Sequence, residues 1–256
     1  MAQNGARTSK LALTKHDSPL VTTGLSFRPA ETISDAVAAW QLVYNSYRKN
    51  NLIKSNRYRI HTSPQAASEQ TSVITGKIGP MAVTTMSAIL DGAQGLPLDR
   101  VYAKDLDELR DAGRTLMEVG LFADRRDNLA RSSESLLQLM RYVWHWGMHI
   151  GVTDFIIGIH PRHAKYYSRA FGFEQFADPK AYAAVNDRPV VLLRGEPEIQ
   201  LNRDRIPRGL QYFSANPIDL KQFDSRYLFN PIETANSVIG RYLDSETENL
   251  LGESAA

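Results

Sequence analysis

Residues 115–124, Thr-Leu-Met-Glu-Val-Gly-Leu-Phe-Ala-Asp, constrain the fold of this chain more than any other segment. Apolar side chains fill both faces of the segment and a charged turn follows it, which predicts a strand buried on both sides. Glu118 places a carboxylate among these apolar residues, and burying a carboxylate is costly unless it is paired, hydrated or used. Gly120 weakens a strand but lets a ligand or another backbone approach closely. From this segment alone, the alternative is an edge strand with Glu118 in water and Gly120 at a bulge.

The composition is that of a globular protein with an ordinary core. The chain has 256 residues, 43% of them hydrophobic and 23% charged, so we expect one large domain with an appended segment. The formal net charge of +2 gives no support to a nucleic-acid partner. The absence of cysteine excludes disulfides, thiol nucleophiles and cysteine metal sites, and it fits a reducing compartment.

Three regions differ in character. Residues 1–18 are polar and mixed in charge, without the apolar core of a signal peptide, and predict a loose tail on a cytoplasmic protein. Residues 19–195 carry the strand and helix patterns and predict a single domain. In residues 196–256, Pro, Asn, Arg and Asp alternate with aromatics, which predicts a C-terminal extension that is helical only at 232–251 and has no core of its own. No run has the apolar length that a membrane helix needs.

The order of local patterns predicts a mixed α/β fold. Strand patterns occur at residues 20–28, 58–62, 72–78, 81–90, 115–124, 154–160, 174–176 and 189–194. Apolar residues recur at helical steps at residues 33–47, 101–111, 136–148 and 161–171. Residues 72–90 read as an antiparallel hairpin, and Ser132 or Ser133 is the predicted N-cap of the third helix. Strand-helix-strand order in the second half favours parallel pairing there.

Most common site motifs are missing from the chain. It has no Gly-rich phosphate loop, no G-x-S-x-G elbow and no H-E-x-x-H sequence. His145 and His149 stand four apart on a predicted helix, which is a metal-ligand spacing. They lie among Trp and Met with no carboxylate nearby in sequence, so packed or surface histidines are favoured and no metal site is predicted. The stripe of Trp40, Tyr44 and Tyr47 predicts core packing, although one side could line an apolar ligand pocket.

Five segments, in their order and spacing, resemble the GNAT acyltransferase superfamily. Within it they are most similar to the long-chain N-acyl amino acid synthases, relatives of the acyl-homoserine-lactone synthases. The segments are Gly-Leu-Pro-Leu at 95–98, Gly-Arg-Thr-Leu-Met-Glu-Val at 113–119, Pro-Arg-His-Ala-Lys-Tyr-Tyr at 161–167, Phe-Gly-Phe-Glu at 171–174, and Tyr-Ala-Ala-Val-Asn-Asp-Arg-Pro-Val-Val-Leu-Leu at 182–193. The resemblance covers roughly residues 21–194 and implies a GNAT-like mixed fold, with a central splayed β-sheet flanked by helices and a C-terminal extension.

The resemblance implies transfer of a medium or long fatty acyl group from the phosphopantetheine of an acyl carrier protein to the amine of an amino acid, with no permanently bound cofactor. Glu118, at the family's acidic position, would be the general base that takes a proton from the amine. Tyr167 would protonate the departing thiolate, although it sits one residue early when counted back from Gly172. The backbone of the splayed strand would pair with the pantetheine arm at Gly120, Leu121, Phe122 and Ala123.

The residues that bind the phosphate end of the donor indicate whether the donor is a carrier protein or coenzyme A. Coenzyme A-dependent members hold the pyrophosphate in a Gly-rich loop, whereas residues 125–133 read Arg-Arg-Asp-Asn-Leu-Ala-Arg-Ser-Ser, without glycine. This departure favours a carrier protein. The residues expected to bind the donor at this end are Arg125, Arg126, Arg131, Ser133 and His160, the last standing where the family more often has Asn.

A basic helical face would attract an acidic carrier protein; it consists of Arg162, Lys165 and Arg169. A solvated surface explains the same charges equally well. Three other functions stay open: an acyl- or acetyl-coenzyme A-dependent N-acetyltransferase acting on a small amine, an acyl-homoserine-lactone synthase, and a non-catalytic acyl-binding module. Candidates for the residue that anchors the amino-acid carboxylate are Arg57, Arg59 and Arg188.

Overall fold

The computed structural model describes residues 24–125 and 129–254, with side chains for all of these except 129–132 and 249–254. Within these residues one seven-stranded sheet has the order β1-β2-β3-β4-β5-β7-β6. The strands are β1 (Leu25–Pro29), β2 (Thr71–Ile78), β3 (Met81–Leu90), β4 (Leu116–Asp124), β5 (Asp154–Ile159), β6 (Glu174–Tyr182) and β7 (Arg188–Gly195). The α-helices are α1 (Ile33–Lys49), α2 (Asp99–Asp111), α3 (Leu129–His149), α4 (Ala164–Phe171), α5 (Pro197–Leu201), α6 (Arg208–Ala215), α7 (Pro231–Asn236) and α8 (Val238–Ser254). Short 3-10 helices lie at Gln65–Ala67, Pro161–His163, Ala183–Val185 and Leu220–Phe223.

Local signals in the sequence set several of these boundaries. The Thr32 hydroxyl accepts a hydrogen bond from the Asp35 N–H at 3.1 Å and caps α1. Helix α4 ends at Gly172, whose φ of +78° is the left-handed conformation that a helix stop favours. The predicted hairpin of β2 and β3 is confirmed, with antiparallel pairing from Thr71↔Ile89 to Ile78↔Met81.

The sheet is antiparallel except between β4 and β5. Parallel pairing joins these two strands at Leu116↔Asp154, Met117↔Phe155 and Glu118↔Ile156. Strand β5 then continues against β7 as far as Ile159↔Val191, and β4 continues against β3 as far as Asp124↔Thr84. The two strands therefore part after Glu118, and the predicted splayed sheet is confirmed. The parallel pairing predicted for the second half occurs only here, because β7 separates β6 from β5.

Some predicted elements are wrong. Residues 58–62 form a loop, because Arg59 adopts φ +54° and its N–H donates to the Asn56 carbonyl at 3.3 Å, closing a turn that a strand cannot contain. Ser132 and Ser133 are not N-caps. Helix α3 begins at Leu129, because Leu129 and Ala130 favour helix and extend it by one turn.

Helices cover both faces of the sheet and make two apolar cores. The core on the side of α1 and α2 includes Trp40, Leu106 and Ile156, and the core on the side of α3 includes Leu139 and Phe155. This two-sided cover explains why β4 reads as apolar on both faces. No helix within the described residues combines the length and apolar character needed to cross a bilayer.

The C-terminal extension contributes aromatic side chains to both of these cores. Phe213 and Phe223 pack in the α3 core, whereas Phe229 and Tyr242 pack in the α1 core. Phe229 stacks on Trp40 with ring centroids 5.1 Å apart. The prediction that residues 196–231 lack helix is wrong, since α5 and α6 lie there. The boundary at residues 195 and 196 stays a prediction.

We expect Phe229→Ala to lower the free energy of unfolding by about 3 to 5 kcal/mol, because it leaves a cavity beneath Trp40. The neighbouring Leu228 is 50% exposed and provides the matched control. Leu228→Ala should change stability by no more than about 0.5 kcal/mol. Urea denaturation of the full chain measures both variants. Equal effects would contradict a structural role for the extension in the α1 core.

Candidate active site

The gap between β4 and β5 is closed at one end by a buried ion-pair network. The Asp154 carboxylate is fully buried at the start of β5. It accepts from Arg114 Nε at 2.6 Å and from Arg194 Nε at 2.5 Å, and Glu196 pairs with the same two guanidinium groups. Two cations thus satisfy the buried carboxylate. This network fixes the paired ends of the strands, so the gap opens toward Asp124.

A β-bulge follows Gly120 on β4. Ser87 of β3 pairs with Gly120 and Thr85 pairs with Ala123, so Met86 lies opposite two residues, Leu121 and Phe122. Leu121 adopts φ +50°, an uncommon conformation for a residue with a branched side chain. Beyond Glu118, none of the described strands pairs with β4 on its β5 side. The backbone of residues 119–124 is therefore open toward the gap.

Glu118 lies where the two strands part and points toward the α1 face. Its side chain is 7% exposed, and Oε2 accepts a hydrogen bond from the Leu98 N–H at 2.9 Å. Oε1 lies on the side of Gly120, where a Cβ added to that glycine would stand 3.7 Å from it. No residue in the described part of the chain donates to Oε1. One carboxyl oxygen is therefore held by the protein, and the other is available to a substrate.

Burial raises the pKa of Glu118 to about 8. The charges of Asp99 and Asp91 act in the same direction, while the Leu98 hydrogen bond opposes them. The carboxyl is therefore mostly protonated at pH 7 and exchanges its proton slightly above neutrality. A pKa in this range suits a general base for an amine.

The Leu98 N–H is positioned by a network around Arg110. Arg110 donates to Asp91 through Nε at 2.6 Å and to Asp99 through Nη1 and Nη2 at 2.8 Å. Asp99 also accepts the Leu96 N–H at 2.6 Å. Gly95, at φ +67°, passes so close to Asp99 that a Cβ would stand 2.3 Å from its Oδ2. The motif at residues 95–98 is therefore the loop that presents an N–H to Glu118.

Burial raises the pKa of three tyrosines, Tyr182, Tyr47 and Tyr167. The Tyr182 hydroxyl donates to the Pro97 carbonyl at 3.2 Å. The charge of Glu118 adds to the effect of burial on Tyr182 and on Tyr47, whose pKa is raised to about 12. Glu118 bonds to Leu98 on the α1 face whereas Tyr167 packs on the α3 face, so the meeting of the two predicted catalytic residues at the gap stays a prediction.

Tyr167 lies on the α3 face of the sheet. Its ring packs 5.9 Å from Phe171 and 6.2 Å from Phe173, measured between centroids. The role of Tyr167 at the gap, and its one-residue offset from Gly172, therefore stay a prediction. His160, at the end of β5, accepts the Arg162 N–H on Nδ1 at 3.2 Å and caps the 3-10 turn before α4.

The described donor-binding candidates lie on β4, directly after it and on α3. Leu121 and Phe122 are half-buried, Ala123 is buried, and Arg125 is exposed with Nη1 2.9 Å from Met81 Sδ. Ser133 is exposed on α3 and forms a side-chain hydrogen bond with Tyr166. Arg126 lies outside the described residues, as does the side chain of Arg131.

The remaining candidates are the histidine with metal-ligand spacing and the three arginines considered for the acceptor carboxylate. His145 places Nε2 3.1 Å from the Phe213 carbonyl and is a packing residue between α3 and α6. Within the described ranges, no three His, Asp or Glu side chains come together in a way that could hold a metal ion. Arg57 donates to the Tyr58 hydroxyl at 2.6 Å, whereas Arg59 and Arg188 are exposed.

Comparisons with known proteins identify the family and agree with the fold. The family model described as N-acyl amino acid synthase FeeM matches residues 38–196. The solved structure of FeeM, an N-acyl amino acid synthase from uncultured soil microbes, is 23% identical, with a TM-score of 0.61, and the match covers 73% of this chain and 96% of that one. TofI, solved in a ternary complex with an inhibitor and MTA, is 12% identical, with a TM-score of 0.51, over 67% of this chain and 90% of that one. No curated protein sequence matches the chain.

We expect Glu118→Gln to become progressively more stable than the wild type as pH rises from about 4.5 to about 8. Over this window the unfolded wild type releases the Glu118 proton while the folded state retains it, so the folded state of the wild type loses stability. Urea denaturation at several pH values measures the difference. Glu108→Gln, an exposed substitution on α2, is the control and should show no such trend. A difference independent of pH would contradict the raised pKa.

Proposed function

Since the chain belongs to the N-acyl amino acid synthase FeeM family and is an N-acyltransferase, we propose an acyl carrier protein as its donor and a free amino acid as its acceptor. The group transferred is a medium or long fatty acyl chain held as a phosphopantetheine thioester. The observation that carries the proposal is the Glu118 carboxyl, buried where β4 and β5 part, with Oε2 held by Leu98 and Oε1 available.

In the proposed reaction, ionised Glu118 takes a proton from the amino group of the acceptor, directly or through a water molecule. The amino group starts as an ammonium, and the lone pair freed by this proton loss attacks the thioester carbonyl carbon, so that a C–N bond forms as the C–S bond breaks. The pantetheine thiolate leaves and takes a proton from the Tyr167 hydroxyl. The nitrogen gives up its second excess proton through water to the Tyr167 phenolate, which leaves a neutral amide and restores the phenol. Burial raises the pKa of Tyr167, so the phenol carries its proton at neutral pH.

The pantetheine arm occupies the gap in this proposal. An extended arm pairs with the open backbone of residues 119–124 as an added strand would, and the bulge at Leu121 turns N–H groups toward the thioester oxygen. The arm's phosphate lies near the start of α3, where Arg125, Arg126, Arg131 and Ser133 are available in the sequence.

A carrier protein is favoured over coenzyme A for two reasons. Residues 125–133 contain no glycine to wrap a pyrophosphate. In addition, Arg162, Lys165 and Arg169 are all exposed, on α4 or on the turn that leads into it from the end of β5. Such a basic face steers an acidic carrier protein toward the site.

The test offers the purified full chain dodecanoyl or hexadecanoyl acyl carrier protein, or the matching acyl-coenzyme A, with a mixture of the twenty L-amino acids. We expect N-acyl amino acids, detected by mass, to form faster from the carrier protein. Absence of N-acyl product from either donor, with a folded protein, would contradict the proposal. Product from coenzyme A alone would instead identify a coenzyme A-dependent enzyme.

A matched pair of lysine variants separates carrier docking from chemistry. Lys165 and Lys104 are both exposed, on α4 and α2 respectively. Lys165→Glu should raise KM for the acyl carrier protein several-fold at low salt, with a smaller effect at high salt, because exposed charges are screened. It should leave the rate with acyl-pantetheine unchanged, and Lys104→Glu should change neither quantity.

A further inference from the structure

An amino acid carries its carboxylate one carbon away from the amine that is acylated. This inference rests on the proposed function, because a bound amino acid needs a cation close to Glu118 to hold that carboxylate. Exposed positive charges are common on the described surface of this chain. Arg100, in the first turn of α2, follows by two residues the Leu98 N–H that holds Glu118.

The chain places Arg100 next to the loop that holds Glu118. Leu98 donates its N–H to Glu118 at 2.9 Å, and Arg100 follows only two residues later, at the start of α2. The helix start is fixed by the paired Asp99 carboxylate. Arg100 itself is exposed, and it forms no ion pair or hydrogen bond with any residue in the described part of the chain. Its guanidinium is therefore free to bind an anion.

Tyr182 contacts the same loop. Its hydroxyl donates to the Pro97 carbonyl at 3.2 Å, next to the Leu98 N–H that Glu118 accepts. Burial raises the pKa of Tyr182, and the positive charge of Arg100 opposes that rise. The loop from Pro97 to Arg100 is thus bonded to both Tyr182 and Glu118.

Aromatic side chains pack on this face of the sheet. The Tyr242 hydroxyl lies 3.4 Å from His61 Nδ1, and the His61 ring lies 5.2 Å from that of Tyr47, measured between centroids. Burial lowers the pKa of His61 to about 4, so this ring is neutral and does not compete with Arg100 for an anion. The α1 face therefore combines packed aromatic rings, the Glu118 carboxyl and the exposed cation of Arg100.

We propose that Arg100 binds the carboxylate of the amino-acid acceptor and so orients its amine toward Oε1 of Glu118. A guanidinium group donates two parallel hydrogen bonds to a carboxylate, which fixes direction as well as position. The anchor converts a mobile amine into one held near the base, which favours attack on the thioester.

The other arginines near this face fit the role less well. Arg57 is already engaged, with Nη2 2.6 Å from the Tyr58 hydroxyl and its guanidinium over the Tyr58 ring. Arg59 and Arg188 are exposed, on the loop after Arg57 and at the start of β7. Arg100 instead follows, by two residues, the Leu98 N–H that Glu118 accepts.

The test compares free amino acids with their primary amides, which keep the amine but lose the carboxylate. The twenty L-amino acids and their amides are offered with dodecanoyl acyl carrier protein. We expect Arg100→Gln to raise KM for the accepted amino acid by about 10- to 100-fold, the loss expected for a hydrogen-bonded charge pair. KM for its amide and for the acyl carrier protein should stay unchanged. Arg100→Lys should recover part of the lost affinity for the amino acid, because a single ammonium charge replaces the two parallel guanidinium donors.

Lys104→Gln, one turn along α2 and also exposed, is the matched control and should leave every constant unchanged. An unchanged KM for the amino acid in Arg100→Gln would overturn the assignment of Arg100 but not the proposed function. Equal use of amino acids and amides by the wild type would overturn it as well. No N-acyl product from the wild type with any amino acid would overturn the proposed function, and this assignment with it.

Discussion

The site depends on one hydrogen bond, from the Leu98 N–H to Oε2 of Glu118 at the point where the sheet opens. A carboxyl buried to this degree is expensive to ionise, and a single N–H lowers that cost without removing it. The carboxyl therefore keeps a pKa of about 8 while its position is fixed. The donor is held in turn by Arg110, which pairs with Asp91 and Asp99 on either side of the loop.

The parted strands and the bulge explain why such a group is placed here. Parallel pairing ends at Glu118, and the chain immediately bulges at Leu121 and Phe122, so backbone groups that a sheet normally pairs are left open. The cost of the open backbone and of the left-handed Leu121 is offset by cores on both faces of the sheet. Unpaired backbone beside a buried base is an arrangement that fits acyl transfer from an extended thioester arm.

Much of this frame could be predicted from local patterns in the sequence. The apolar run of β4 with Glu118 inside it, the hairpin and the Gly172 helix stop are encoded within a few residues of where they act. The edge-strand interpretation of β4 is wrong, because β5 pairs with its first half and both faces are covered. Local patterns do not reveal the Leu98 bond or the role of Arg110, because both join residues far apart in sequence. The same reason hides Arg100, which looks like any exposed residue on α2, and the aromatic contacts of the extension, such as Phe229 on Trp40.

The central claim is that Glu118 acts as a base whose proton leaves near pH 8, and the ratio of kcat/KM between the wild type and Glu118→Gln tests it most directly. Measuring both proteins from pH 6 to pH 9 with the same acceptor cancels the acceptor's own ionisation. The ratio should rise about tenfold per pH unit and level off above about pH 8, reaching about 10²- to 10⁴-fold. A ratio that stays constant across this range would contradict a catalytic role for the Glu118 carboxylate.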